Sequence, residues 1–175
     1  MANRLPFEAG SRTMPAMRVF GAVVCAFAVM AGAARAADAR PAVGYRDGQR
    51  IDLDVVPCDD AVCEIHTAHA FRVMARAASR DGIDLAVRSG FRTRTKQAAL
   101  YKAYRHGEGN LAAAPGFSNH ESGRALDLFV RRGDALRWLE HNAAHYGFHR
   151  TVPGETWHWE YFGDGDREHR HRPSS

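Results

Sequence analysis

Ser118-Asn119-His120-Glu121-Ser122-Gly123-Arg124-Ala125-Leu126-Asp127-Leu128-Phe129-Val130 runs from a polar, glycine-containing loop into an apolar strand interrupted by one carboxylate. So apolar a run reads as buried, and a buried charge is costly unless it is paired or binds a metal. Taken alone, Asp127 is answered by a salt bridge to one of the chain's many arginines. It is not alone: His120 precedes it in the loop, and His158 follows within Glu155-Thr156-Trp157-His158-Trp159-Glu160-Tyr161. Two imidazoles and a carboxylate make the three-ligand set of a catalytic zinc site that keeps one position for water. The Pro153-Gly154 turn sets Glu155 at the mouth of that site. A carboxylate there can take a proton from a water that the metal acidifies, although a surface glutamate is the plainer reading of any single Glu.

Working outward, Val43 to Val56 reads as a hairpin about Asp47-Gly48, with Ile51, Leu53 and Val55 alternating. His66 to Arg80 reads as a helix from the spacing of Ala70, Phe71, Val73, Met74, Ala77 and Ala78, with His69 on its buried side. Ile83, Leu85 and Val87 make a strand that ends at Ser89-Gly90. Thr95 to His106 is a second helix, apolar at Ala98, Ala99, Tyr101 and Tyr104. Glu108 to Ser122 is a long Gly/Ala/Pro/Asn loop of the kind that usually carries function. Asp134 to Tyr146 is a third helix, stopped by Gly147, and Trp157 to Phe162 a last strand. Strands and helices alternate without a βαβ rhythm, which predicts an α+β fold with a small antiparallel or mixed sheet.

The ends of the chain bear on location. Val19 to Ala34 is apolar, Arg18 precedes it, and Ala34-Arg35-Ala36 follows. This predicts a signal peptide over residues 1–36, with an uncleaved anchor as the alternative, and an exported protein, periplasmic or secreted. Met14 and Met17 are tidier starts than Met1, and Cys25 would leave with the leader. The leader holds four arginines and one glutamate, so the +4 of the whole chain falls to +1 beyond it. The arginines form no block, which argues against a nucleic-acid partner. Cys58 and Cys63 remain, a disulfide candidate in an exported protein and otherwise two buried thiols. Residues 163–175 read as a polar disordered tail, leaving 37–162 as one domain.

Ser118-x-His120-x-x-Gly123-x-Ala125-x-Asp127 and Glu155-x-Trp157-His158 match the two motifs of the VanY/VanX-type D-alanyl-D-alanine peptidases. Ser89-Gly90-Phe91-Arg92-Thr93, followed by Gln97, resembles the corresponding segment of the VanY-like carboxypeptidases, as does Pro115-Gly116-Phe117-Ser118-Asn119-His120. The resemblance spans residues 43–162. It implies a central, mainly antiparallel sheet with flanking helices, the hedgehog/DD-peptidase-like arrangement. It implies one Zn2+ on His120, Asp127 and His158, and Glu155 as general base. Arg92 would meet either the substrate's terminal carboxylate or the oxyanion of the tetrahedral intermediate. Ser89 and Gln97 would hydrogen-bond the peptide, and Ser118 would contact the peptide or the metal's ligands. Trp157 would wall the site, and Gly123 would give backbone clearance.

The reaction implied is release of the C-terminal D-Ala from peptidoglycan stem peptides. No membrane span is expected once the leader is removed, and the sequence leaves the oligomeric state open, with a monomer favoured. A D,D-dipeptidase, an L,D-carboxypeptidase or an endopeptidase is the nearer alternative, and a non-catalytic zinc or peptidoglycan-binding protein the farther one. His66, His106, His141, His145 and His149 have no partner pattern, and His169 and His171 fall in the tail.

Overall fold

The computed structural model describes residues 38–130 and 133–163. The expected leader, and the expected tail beyond Gly163, lie outside them. No helix among the described residues is long and apolar enough to cross a membrane.

β1 (Arg40–Arg46) and β2 (Gln49–Cys58) form the hairpin, longer at both ends than its alternating core suggests. Its two-residue turn, Asp47-Gly48, has positive φ at both positions, 50° and 78°, the geometry that matches strand twist in a tight hairpin. A second tight turn at Asp59-Asp60 returns the chain as β3 (Ala61–Glu64), giving a three-stranded meander, β1-β2-β3. β3 is too short to announce itself by alternation.

Cys58 and Cys63 lie diagonally on this hairpin, since Cys58 pairs with Ala61 and Cys63 with Val56. Both are buried free thiols, so the structure departs from the expected disulfide. The thiols instead share a hydrogen bond, which pushes Cys63 up and holds Cys58 down.

Helix α1 (Ile65–Arg80) follows at once, because the Glu64 carboxylate accepts from His66 N at 3.0 Å and Thr67 N at 2.8 Å and so caps it. Its inner stripe is Ala68, Phe71, Met74 and Ala78, all at most 3% exposed. His69, one residue off that stripe, is exposed rather than buried.

The second sheet is antiparallel, in the order β4-β5-β7-β6: β4 (Val87–Ser89), β5 (Ala125–Leu128), β6 (Phe148–His149) and β7 (His158–Tyr161). β4 is shorter than the expected strand from Ile83, and the register shifts between Val87 and Ser89. β6, only two residues long, is not visible as a pattern.

α2 (Arg94–Arg105) is a surface helix whose one buried residue is Gln97. Ala98, Ala99 and Tyr104, expected on an apolar inner face, are exposed. α3 (Gly133–Asn142) gives way to a 3-10 turn over Ala143–Tyr146, where a single helix to Tyr146 is expected.

Side chains alternate across a strand. Leu126, Leu128, Trp159 and Phe148 therefore point to one face and join Phe71, Met74, Ala78 and Leu139 in the core. The opposite face of β5 and β7 is left for Asp127, His158 and Glu160.

Candidate metal centre

Asp127 pairs with Ser89 on one side and His158 on the other, so the middle of the sheet brings these three residues side by side. The loop before β5 folds back and supplies His120. His120, Asp127 and His158 are 5%, 8% and 6% exposed. Each offers one ligand atom, and these atoms all lie within 4.8 Å of one another.

The ring orientations follow from the outer contacts. His120 Nδ1 lies 2.8 Å from the carbonyl oxygen of Gly90, which can only accept, so this nitrogen carries the hydrogen. Its Nε2 then faces Asp127 Oδ1 at 3.4 Å. His158 is turned the other way: Nε2 lies 3.0 Å from Glu160 Oε1, and Nδ1 faces Asp127 Oδ1 at 3.2 Å. Two inward ring nitrogens and a carboxylate, with the outer nitrogens tied down, suit a divalent cation of the zinc type.

Electrostatics agree. Burial acts to raise the Asp127 carboxyl, but the hydrogen bonds and charges of His120 and His158 outweigh it and hold it well below the usual range. Burial acts to lower His158, and the carboxylates of Asp127 and Glu160 instead push it up to about 9.

Glu155 Oε2 stands 3.9 Å from His158 Nδ1, and its side chain is 32% exposed, at the rim of the cluster. The Arg92 backbone N–H donates to His120 O at 3.0 Å, and its Nη1 donates to Gln97 Oε1 at 2.9 Å. Burial pulls the Arg92 guanidinium below its usual pKa, against the supporting charges of Asp127, Glu121 and Glu155. Those neighbours set the guanidinium at the site. Gln97 differs from the expectation of a peptide contact. It is 1% exposed, and its amide spans Arg92 and Ala113 O, so it braces the arginine and the loop. Ser118 is buried, Ser89 half-buried and Trp157 exposed beside His158. Gly123 has φ +74°, and an added Cβ would come within 2.4 Å of Glu64 Cβ, so the clearance expected of it is a steric requirement.

Four residues escape the sequence reading. Glu160 accepts from Asn119 Nδ2 at 2.9 Å and Thr151 Oγ1 at 2.6 Å as well as facing His158. Burial would raise its pKa, and these contacts lower it. Glu121, fully buried, accepts from Gly116 N at 2.7 Å and Ser118 N at 3.4 Å, which fixes the loop beside the site. The strand period places Glu160 on the face of His158 and could have found it. Asn119 stands without a role in the Pro115 to His120 segment that carries the resemblance, and nothing in the sequence points to Thr151 or Glu121.

The family model for VanY, D-alanyl-D-alanine carboxypeptidase, matches residues 61–164. The chain belongs to the VanY family. A D-alanyl-D-alanine carboxypeptidase of Enterococcus faecalis (strain ATCC 700802 / V583) is 29% identical over 146 residues, which cover 67% of this chain and 50% of that protein. The chain spans about half the length of the curated relatives it matches. Among solved structures, VanYB in complex with D-Alanine-D-Alanine superposes with a TM-score of 0.56 at 25% identity, covering 65% of this chain and 79% of that one. A vancomycin-resistance D,D-pentapeptidase VanY in complex with Zn(II) gives a TM-score of 0.53 at 26% identity, covering 63% and 79%. VanY membership together with the buried His120, Asp127 and His158 makes zinc the cofactor that this site fits. The expected α+β, DD-peptidase-like fold is the one observed.

Proposed function

We propose that this VanY-family protein hydrolyses the C-terminal D-Ala from peptidoglycan stem peptides ending in D-Ala-D-Ala. The observation that carries the reading is the buried His120, Asp127 and His158 cluster with the Glu155 carboxylate 3.9 Å from His158 Nδ1. His120 through Nε2, Asp127, and His158 through Nδ1 would hold zinc, which when bound acidifies water and polarises the scissile carbonyl. Glu155 accepts the proton of the attacking water and returns it to the leaving amine. Arg92, whose electrostatic neighbours are Asp127 and Glu155, meets the negative charge that develops on the scissile carbonyl. Ser118 and Ser89 border the peptide, Trp157 flanks it, and Gln97 and Glu121 hold Arg92 and the loop in place. The catalytic unit would span residues 37–162 after removal of an export leader, since the substrate lies outside the cytoplasmic membrane.

The test is release of D-alanine from a synthetic pentapeptide stem, comparing the zinc-loaded protein with Glu155→Ala at matched zinc content. Release by the parent and its loss in the variant support both the reaction and the base. A folded, zinc-bound parent that releases nothing from pentapeptide or tetrapeptide stems defeats the carboxypeptidase reading.

A further inference from the structure

The ring of His158 is held from behind by a single carboxylate oxygen that also gathers two loops. Glu160 follows His158 by two positions on β7 and so shares its face. Its Oε1 receives Thr151 Oγ1 at 2.6 Å and Asn119 Nδ2 at 2.9 Å, and it lies 3.0 Å from His158 Nε2. Glu160 is 3% exposed, and a buried carboxylate persists only where such donors replace water.

The three donors have different origins. Asn119 adjoins His120 in the loop before β5. Thr151 lies in the connection that leads to Glu155. His158 is itself one of the three inward groups. The Glu160 carboxylate can only accept, so it keeps a hydrogen on His158 Nε2 and makes Nδ1, 3.2 Å from Asp127 Oδ1, the nitrogen that gives up its proton to a metal. A ligand histidine backed by a carboxylate is fixed in tautomer and ring plane, and loss of such a partner typically costs about 10–100-fold in metal affinity or activity.

We propose that Glu160 is a positioning residue of the zinc site. It sets the tautomer and plane of His158 and, through Asn119 and Thr151, registers the two segments that deliver His120 and Glu155 to the strand that delivers His158. The proposal rests on zinc binding by His120, Asp127 and His158, and not on which peptide is cut.

The experiment is zinc competition against a chromophoric chelator on the full chain, without peptide, for the parent, Glu160→Ala, Glu160→Gln and Thr151→Val. Visible spectra of the Co2+-loaded proteins accompany it. Glu160→Ala should weaken zinc binding about 10–100-fold and shift the cobalt bands. Glu160→Gln, which keeps an acceptor oxygen at the same reach, should recover most of the affinity. Thr151→Val removes one donor from the far side of Glu160 and should cost about threefold or more. If Glu160→Ala folds and binds zinc within about twofold of the parent with unchanged cobalt bands, the proposal is wrong. It is equally wrong if Glu160→Gln loses as much as Glu160→Ala. If Glu160→Ala fails to fold, Thr151→Val decides, and unchanged affinity there overturns the idea. A parent that binds zinc but releases no D-alanine would count against the proposed substrate alone.

Discussion

The Nδ1–H of His120 donates to the carbonyl oxygen of Gly90 at 2.8 Å, and Gly90 has no room for a side chain. A Cβ there would meet Val62 O at 2.5 Å and Cys63 Sγ at 2.8 Å. The backbone that orients one ligand of the metal centre is thus pressed against β3, to which Phe91 N also donates at 2.6 Å. Substituting Gly90→Ala must move this segment. The expected outcome is a loss of about 1–3 kcal/mol in stability, as for other overpacked sites, together with weaker zinc binding. Thermal melting and zinc titration of the same preparation check it. Lower stability with unchanged zinc affinity would show that His120 does not depend on the Gly90 carbonyl.

Arg92 offers a choice that kinetics can make. Gln97 and the His120 carbonyl hold it, and its charge neighbours are Asp127, Glu121 and Glu155. If it serves the developing oxyanion, Arg92→Lys lowers kcat by roughly 100-fold while KM changes little. If it serves the substrate's terminal carboxylate, KM rises and kcat holds. The first pattern is expected, and steady-state kinetics on a pentapeptide stem distinguish the two.

The metal-free protein should respond to pH through His158, raised from its usual 6.5 to about 9 by Asp127 and Glu160. A group whose pKa is raised on folding contributes its full stability below the unfolded pKa, and that contribution is lost as pH rises through the folded pKa. The metal-free chain should therefore lose stability, on the order of 1–3 kcal/mol, as pH rises from about 6.5 to about 9. Zinc requires His158 Nδ1 without a proton, so the zinc-bound chain should gain affinity over the same window. Melting temperatures across this range, with chelator and with zinc, should diverge. Parallel curves would show that His158 does not titrate with the metal site.

Much of the site was legible in one dimension. Asp127 interrupts an apolar strand, and burial of a lone carboxylate demands a partner. His120 and His158 stand at motif spacings that supply one, and the family resemblance turned three residues into a ligand set. The hairpin turn at Asp47-Gly48 and the stripe of α1 were readable because both are short-range patterns. The strand period even contained Glu160, although nothing marked it as more than the next polar residue.

Contacts between segments distant in the chain were not legible. Asn119, Thr151 and Glu160 converge only because β5, β7 and β6 align in one register. Gln97 is buried and Ala98 exposed because α2 turns its Gln97 amide toward Arg92 and Ala113, groups remote from it along the chain. Cys58 and Cys63 meet diagonally because β3 pairs with β2 four residues deep. Local spacing dictates which side chains share a face of one element. Which faces then meet depends on strand register and on packing between remote segments, so the chain alone names the candidate ligands, while the folded sheet and its loops decide how those side chains are held.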